Sequence, residues 1–137
     1  IGPKPDGSVQ KEAVDLLTKI GEWMDRNNAS IYGTERSKVV RYQYAGITRK
    51  GNTLFLHVHA WPGSEIRIGA IVTKAFSARL LATGKEIKFD QNADRLRLYG
   101  LPEKAPDQPM TVIAIEFESE PVQDMVAHRR SKKRTTV

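Results

Sequence analysis

His57 and His59 stand two residues apart in the run Thr53 to His59, where Leu54, Leu56 and Val58 alternate with Phe55 and the two histidines. On a strand both imidazoles project to one side, about 7 Å apart. Such a pair can begin a zinc site, but zinc takes at least three protein ligands. The remaining histidine, His128, lies in a basic terminal segment. The residues therefore predict a structural His57, a solvent-facing His59 and no metal. Glu116 and Glu118 repeat the spacing with carboxylates. Glycoside hydrolysis uses two carboxyls about 5–9.5 Å apart across the scissile bond, one of them kept protonated. Here Ile113, Ile115 and Phe117 point the opposite way, and that alternation predicts a solvated acidic face over a core.

Aromatic side chains offer a second kind of chemistry, since their faces can pack on a sugar ring. Trp23 falls on the apolar stripe of a helix-like segment and is expected in the core. Trp61, beside Pro62-Gly63 at a strand end, is the more open candidate, although a structural role is expected there too. Tyr32, before Gly33, is expected to seal the joint between the helix and the strands after it. Tyr42, Tyr44 and Tyr99 complete the aromatics left for a surface. The glycines of Gly2-Pro3 and Asp6-Gly7 are isolated and interrupted by proline, so they form no phosphate-cradling loop.

The elements that must position these residues are short. Ala13, Leu16, Leu17, Ile20, Trp23 and Met24 recur at helical spacing and predict a helix over 9–26, with Gly7-Ser8 at its start and Asn27-Asn28 at its stop. A helix apolar on one face needs a partner surface. After Thr34 the pattern changes to strands, predicted over 41–48, 53–59, 65–69, 74–81, 86–90, 95–99 and 110–118. Lys50-Gly51-Asn52, Thr83-Gly84-Lys85 and Gln91 to Asp94 supply turns. Gly100 to Pro109 contains three prolines and is a loop. Seven short strands at this spacing argue for an antiparallel sandwich.

The chain has 137 residues, 39% hydrophobic and 28% charged, which suits one globular domain with a short appendage. Without cysteine there is no disulfide or thiolate site. No apolar run approaches the roughly 20 residues that span a bilayer, and no membrane contact is expected. The net charge of +6 is concentrated: Arg129, Arg130, Lys132, Lys133 and Arg134 supply five positive charges after Met125, leaving +1 for the rest. That tail has no aromatics for base stacking. It predicts a solvated, disordered end, and nucleic-acid binding ranks last among the functions considered.

Several stretches carry a resemblance. Ile1 to Gly7 (IGPKPDG), Ile20-Gly21-Glu22-Trp23 and Ala29 to Thr34 (ASIYGT) occur in an order similar to the end of the catalytic barrel in α-L-fucosidases, a glycoside hydrolase family. Thr48 to Gly63 (TRKGNTLFLHV, then WPG) and Ala82 to Asp107 resemble segments of the C-terminal β-sandwich of the same family. Val39 to Tyr44 departs from its pattern, which often carries proline and tryptophan there, and nothing after Glu120 matches. The resemblance covers roughly 1–117.

The resemblance implies a mainly β chain: an antiparallel immunoglobulin-like sandwich preceded by one amphipathic helix left over from a β/α barrel. Residues 1–35 would be the end of that barrel, 36–121 the sandwich and 122–137 the basic tail. The catalytic carboxylates would lie upstream of Ile1, so this part would carry none. Ile1 and Gly2 would border the sugar pocket of the intact enzyme, and no metal or cofactor is implied. The partners implied are the upstream barrel of the same polypeptide and, through it, fucosylated glycans. A secreted, periplasmic or lysosomal location is implied by the resemblance alone. The alternative is a non-catalytic carbohydrate-binding module, which requires exposed aromatics on a sugar-sized face.

Overall fold

The computed structural model describes residues 5–7, 10–40 and 42–124. The helix α1 runs Lys11–Asn27, starting two residues later than its periodicity predicts and ending one later. Its start is capped by the extended backbone of Gln10, with no side-chain cap. Val14 N–H donates back to the Gln10 carbonyl at 3.1 Å. Glu12 in the first turn and Arg26 in the last complement the helix dipole. A 3-10 turn, Asn28–Ser30, continues the chain.

Seven strands come after it: β1 (Ala45–Lys50), β2 (Thr53–Val58), β3 (Ile66–Gly69), β4 (Ala75–Leu80), β5 (Lys88–Gln91), β6 (Arg95–Tyr99) and β7 (Thr111–Phe117). They form a four-stranded sheet ordered β1-β2-β7-β4 and a three-stranded sheet ordered β3-β6-β5. Every ladder is antiparallel. The expected sandwich with one preceding helix is therefore present.

Two strands differ from their predicted bounds by more than one residue, each for a visible reason. The first was expected over 41–48 but begins at Ala45. Before it, the Tyr44 carbonyl accepts the N–H groups of His59 and Ala60, so the chain turns at the sheet end without pairing. β1 then runs on to Lys50, opposite Thr53. In the turn between them only Gly51 takes a positive φ, as a turn with glycine at its first central position requires. The fifth strand, expected over 86–90, begins at Lys88. Glu86 bridges Arg79, and Ile87 N–H donates to the Ala78 carbonyl, so both remain with β4. The chain crosses between sheets immediately after them.

The two inner faces meet in the core. Leu54, Leu56, Ile113, Ile115 and Phe117 from one sheet interlock with Ile66, Ile68, Leu96 and Leu98 from the other, all essentially free of solvent contact. Val122 to Asp124 also join the body: Val122 bridges Lys38, Gln123 bridges Ile71, and Asp124 N–H donates to the Ala70 carbonyl. Ala70 takes a φ of 64°, a left-handed conformation that costs a residue with a Cβ.

Ile113 lies at the centre of this packing. Ile113→Ala should cost about 2–5 kcal/mol, the range for large-to-small changes in a closed core. Urea unfolding checks this through a lower midpoint at unchanged slope.

Candidate functional site

The four-stranded sheet is buried on both faces at its centre, and this decides where the candidate residues end up. Its outer face, lined by Phe55 of β2 and Val112 and Ala114 of β7, is covered by α1. Trp23 is 4% exposed and packs on those three residues. Its indole N–H donates to the Met110 carbonyl at 2.7 Å. Trp23 is thus a core residue, as its place on the apolar stripe predicts.

A polar cluster closes the helix end over the loop before β7. The fully buried Asn27 donates through Nδ2 to the Trp23 carbonyl at 3.1 Å and to Asp107 Oδ2 at 2.9 Å. Arg26 Nη2 reaches Asp107 Oδ1 at 2.8 Å. Burial alone would raise the Asp107 pKa, but hydrogen bonds from Arg26, Asn27 and Gln108 outweigh it and hold the carboxyl below its usual range. Asn27 Oδ1 is a buried side-chain acceptor with no partner among the described residues.

The strand alternation puts His57 on this same helix-covered face. It is buried, and its Nε2 lies 2.9 Å from Thr48 Oγ1. The Thr48 hydroxyl donates its one hydrogen to the Ser30 carbonyl at 2.8 Å, so the protonated nitrogen of this pair belongs to His57. His57 thereby ties β2 and β1 to the turn after α1. Burial lowers its pKa below 6.5, and a hydrogen bond to the Ser30 carbonyl opposes that only in part. His59 lies beyond the end of β2 and is exposed. Among the described residues no group of three His, Asp or Glu could hold a metal ion.

Glu116 sits at the surface 4.0 Å from Arg79, and Glu118, past the end of β7, is exposed. Neither occupies a cleft. Trp61 is half-buried against the main core and donates its indole N–H to the Pro102 carbonyl at 2.8 Å. Tyr32 does not seal the joint. It is 67% exposed, and the joint is made by Ser30, Thr48 and His57 instead. The pocket-rim candidates Ile1 and Gly2, and the basic cluster with His128, lie outside the described residues.

The partner surface that the apolar stripe of α1 needs is only partly supplied by the sheet. Ala13, Trp23 and Asn27 are buried, yet Val14, Leu16, Leu17 and Ile20 remain exposed, Leu17 by 59%. Beside them runs a groove of about 290 Å³ lined by Leu16, Ile20, Arg26, Gln108 and Pro109 among others. The sequence places six apolar residues on this stripe, and the sheet leaves three of them, Leu16, Leu17 and Ile20, exposed.

No protein-family model matches this sequence, and no curated protein matches it. Solved structures do. An α-L-fucosidase isoenzyme of Paenibacillus thiaminolyticus superposes with a TM-score of 0.77 at 28% identity, covering 87% of this chain and 30% of its own. One from Vibrio sp. strain EJY3 gives 0.77 at 22% identity, over 89% of this chain and 23% of its own. The α-fucosidase of Thermotoga maritima gives 0.69 at 26% identity, over 85% and 29%. The chain thus spans less than a third of each protein. It is similar to the C-terminal region of α-L-fucosidases, as its sequence motifs suggest.

The buried, neutral His57 sets a pH dependence. The unfolded chain binds a proton near the ordinary value of about 6.5 while the folded chain resists it. Stability is therefore full above that pH and falls as pH drops from about 6.5 through the lower folded value. Denaturant unfolding between pH 8 and 5 should show this slope, and His57→Gln should flatten it. Trp23→Ala should cost about 3–5 kcal/mol and expose α1 to proteolysis.

Proposed function

We propose that this chain is the C-terminal portion of a retaining α-L-fucosidase, and that it serves as a structural, accessory sandwich without the catalytic carboxylates. The observation that carries this reading is the exposed apolar face of α1. The apolar stripe of α1 is closed by the sandwich around Trp23 and Met24, while Leu16, Leu17 and Ile20, with Val14 beside them, stay open. Burying a leucine or isoleucine side chain contributes about 1.5–3 kcal/mol, so covering Val14, Leu16, Leu17 and Ile20 would yield several.

The occupant we assign is a catalytic β/α barrel of the same polypeptide. Two facts support that choice: the similar fucosidases are more than three times as long as the matched stretch, and the helix precedes the sandwich in sequence. In that arrangement the hydrolysis of terminal α-L-fucosyl linkages belongs to the barrel. A nucleophilic carboxylate there would form a glycosyl-enzyme, and a second carboxyl would act first as acid and then as base. The residues of this chain take no part in the bond changes. They brace the barrel, through the open part of the α1 stripe and the groove at Pro109.

Two measurements test the reading. The 137-residue chain should release no product from an aryl α-L-fucoside. In the longer polypeptide, Leu17→Glu with Ile20→Glu should lower the melting temperature and the fucosidase activity together, while in the short chain the same pair should leave the melting temperature within a few degrees. Equal melting of variant and parent in the longer protein would remove the docking face, and turnover by the short chain would remove the division of labour.

A further inference from the structure

The layer facing away from α1 is of another character. Arg67 of β3, Arg95, Arg97 and Tyr99 of β6, and Lys88 and Asp90 of β5 share the outer face of the three-stranded sheet, because Ile66, Ile68, Leu96 and Leu98 alternate with them into the core. Glu65 Oε1 accepts from Nε of both Arg67 and Arg97. Asp90 accepts from Arg97 at 2.8 Å and from Arg95 at 2.7 Å. The Arg97 guanidinium also lies 4.7 Å from the centre of the Tyr99 ring. Four cations against two carboxylates leave the face positive, although the body of the chain is almost neutral.

At one end of this ladder Arg67 forms a wall of a groove of about 650 Å³, together with Val40, Tyr42, Gln43 and Tyr44. The groove is wide and open to solvent along its length. The Tyr42 and Tyr44 rings meet edge to face, with centroids 5.6 Å apart at 75°. Tyr42 is packed against the core and holds the more exposed Tyr44 in place. Burial, with the neighbouring Tyr44, pushes the Tyr42 hydroxyl up to about 12, so it remains a neutral donor. The Arg67 side chain is 62% exposed. Only its Nε is engaged among the described residues, which leaves the terminal Nη1/Nη2 edge open to the groove.

We propose that this groove binds a pyranoside carrying a carboxylate or a sulfate. The open edge of Arg67 has the fork geometry that pairs with a planar carboxylate or two sulfate oxygens. The tyrosine faces carry negative π charge and attract the C–H-rich face of a sugar ring. The positive ladder running from Arg67 to Lys88 accommodates further anionic residues of the same glycan. An acidic peptide would use the guanidinium but not the aromatic wall, so the tyrosines favour the saccharide. The site goes beyond the fucosidase reading and does not need it.

Titration calorimetry of the full chain tests the site with three probes: tetragalacturonate, a sulfated fuco-tetrasaccharide and a neutral fuco-tetrasaccharide. Saturable 1:1 binding of the uronate assigns the site to carboxylates, and of the sulfated probe to sulfate esters; either supports the proposal if the neutral probe binds at least tenfold more weakly. Arg67→Gln and Tyr44→Ala should each weaken binding tenfold or more. Tyr44→Phe, which keeps the ring and the fold, should weaken it less than fivefold. Lys85→Gln, on the turn leaving the other sheet, should change nothing. The proposal is overturned if no probe binds saturably, if the neutral probe binds equally well, or if Arg67→Gln or Tyr44→Ala leaves affinity unchanged. Capture of polyglutamate with the parent's affinity in Tyr44→Ala would likewise overturn it in favour of an acidic protein partner. None of these outcomes touches the docking of α1, which is read by melting temperature in the longer polypeptide.

Discussion

The pairing of β2 with β7 creates a demand that much of the structure answers. Both strands are buried on both faces over most of their length, so the sheet they centre needs a cover on each side. One face closes on the three-stranded sheet. The other, with Phe55, Val112 and Ala114, needs a separate cover, and Trp23 of α1 supplies it. An indole can bury a large apolar area while its N–H still needs an acceptor. The Met110 carbonyl, just before β7, provides that acceptor and fixes the helix along the sheet.

The cover is held at its end by polar contacts. Asn27 and Arg26 converge on Asp107 from the helix side, and His57 with Thr48 reaches Ser30 from the sheet side. Because His57 is buried to make this contact, the joint carries a protonation cost that an aliphatic contact would not. The helix is therefore held firmly at its C-terminal end, while Leu16, Leu17 and Ile20 on the same stripe stay open. The two layers of the sandwich differ accordingly: one turns a helix outward, and the other a ladder of arginines and carboxylates beside two tyrosines.

The candidate site was legible only in part. Spacing alone placed His57 with His59, and Glu116 with Glu118, on one face of their strands, and Trp23 in the core. It could not tell that the side holding His57 lies under a helix while Glu116, on the neighbouring strand, reaches the surface beside Arg79. Tyr32 looked like a seal because it sits at the junction in sequence, yet the 3-10 turn swings its ring outward and leaves the closing contacts to smaller side chains. Tyr42 and Tyr44 read as the start of a strand. The bonds that Tyr44's carbonyl makes with His59 and Ala60 are contacts across 15 residues or more, which local propensity does not register.

By itself the sequence determined the elements and their class. Alternation of period two, glycine at Gly51 and Gly84, and prolines in the loop before β7 leave a seven-stranded sandwich with one leading helix, since each is a short-range steric or burial rule. Its ordered motifs also carried the likeness to α-L-fucosidases. Tertiary structure alone decided which faces are covered, where β5 leaves one sheet for the other, and which groups become neighbours. Those outcomes depend on how much apolar area each surface offers and on which distant carbonyl is free to accept a hydrogen bond. Both quantities exist only once the sheets and helix have come together.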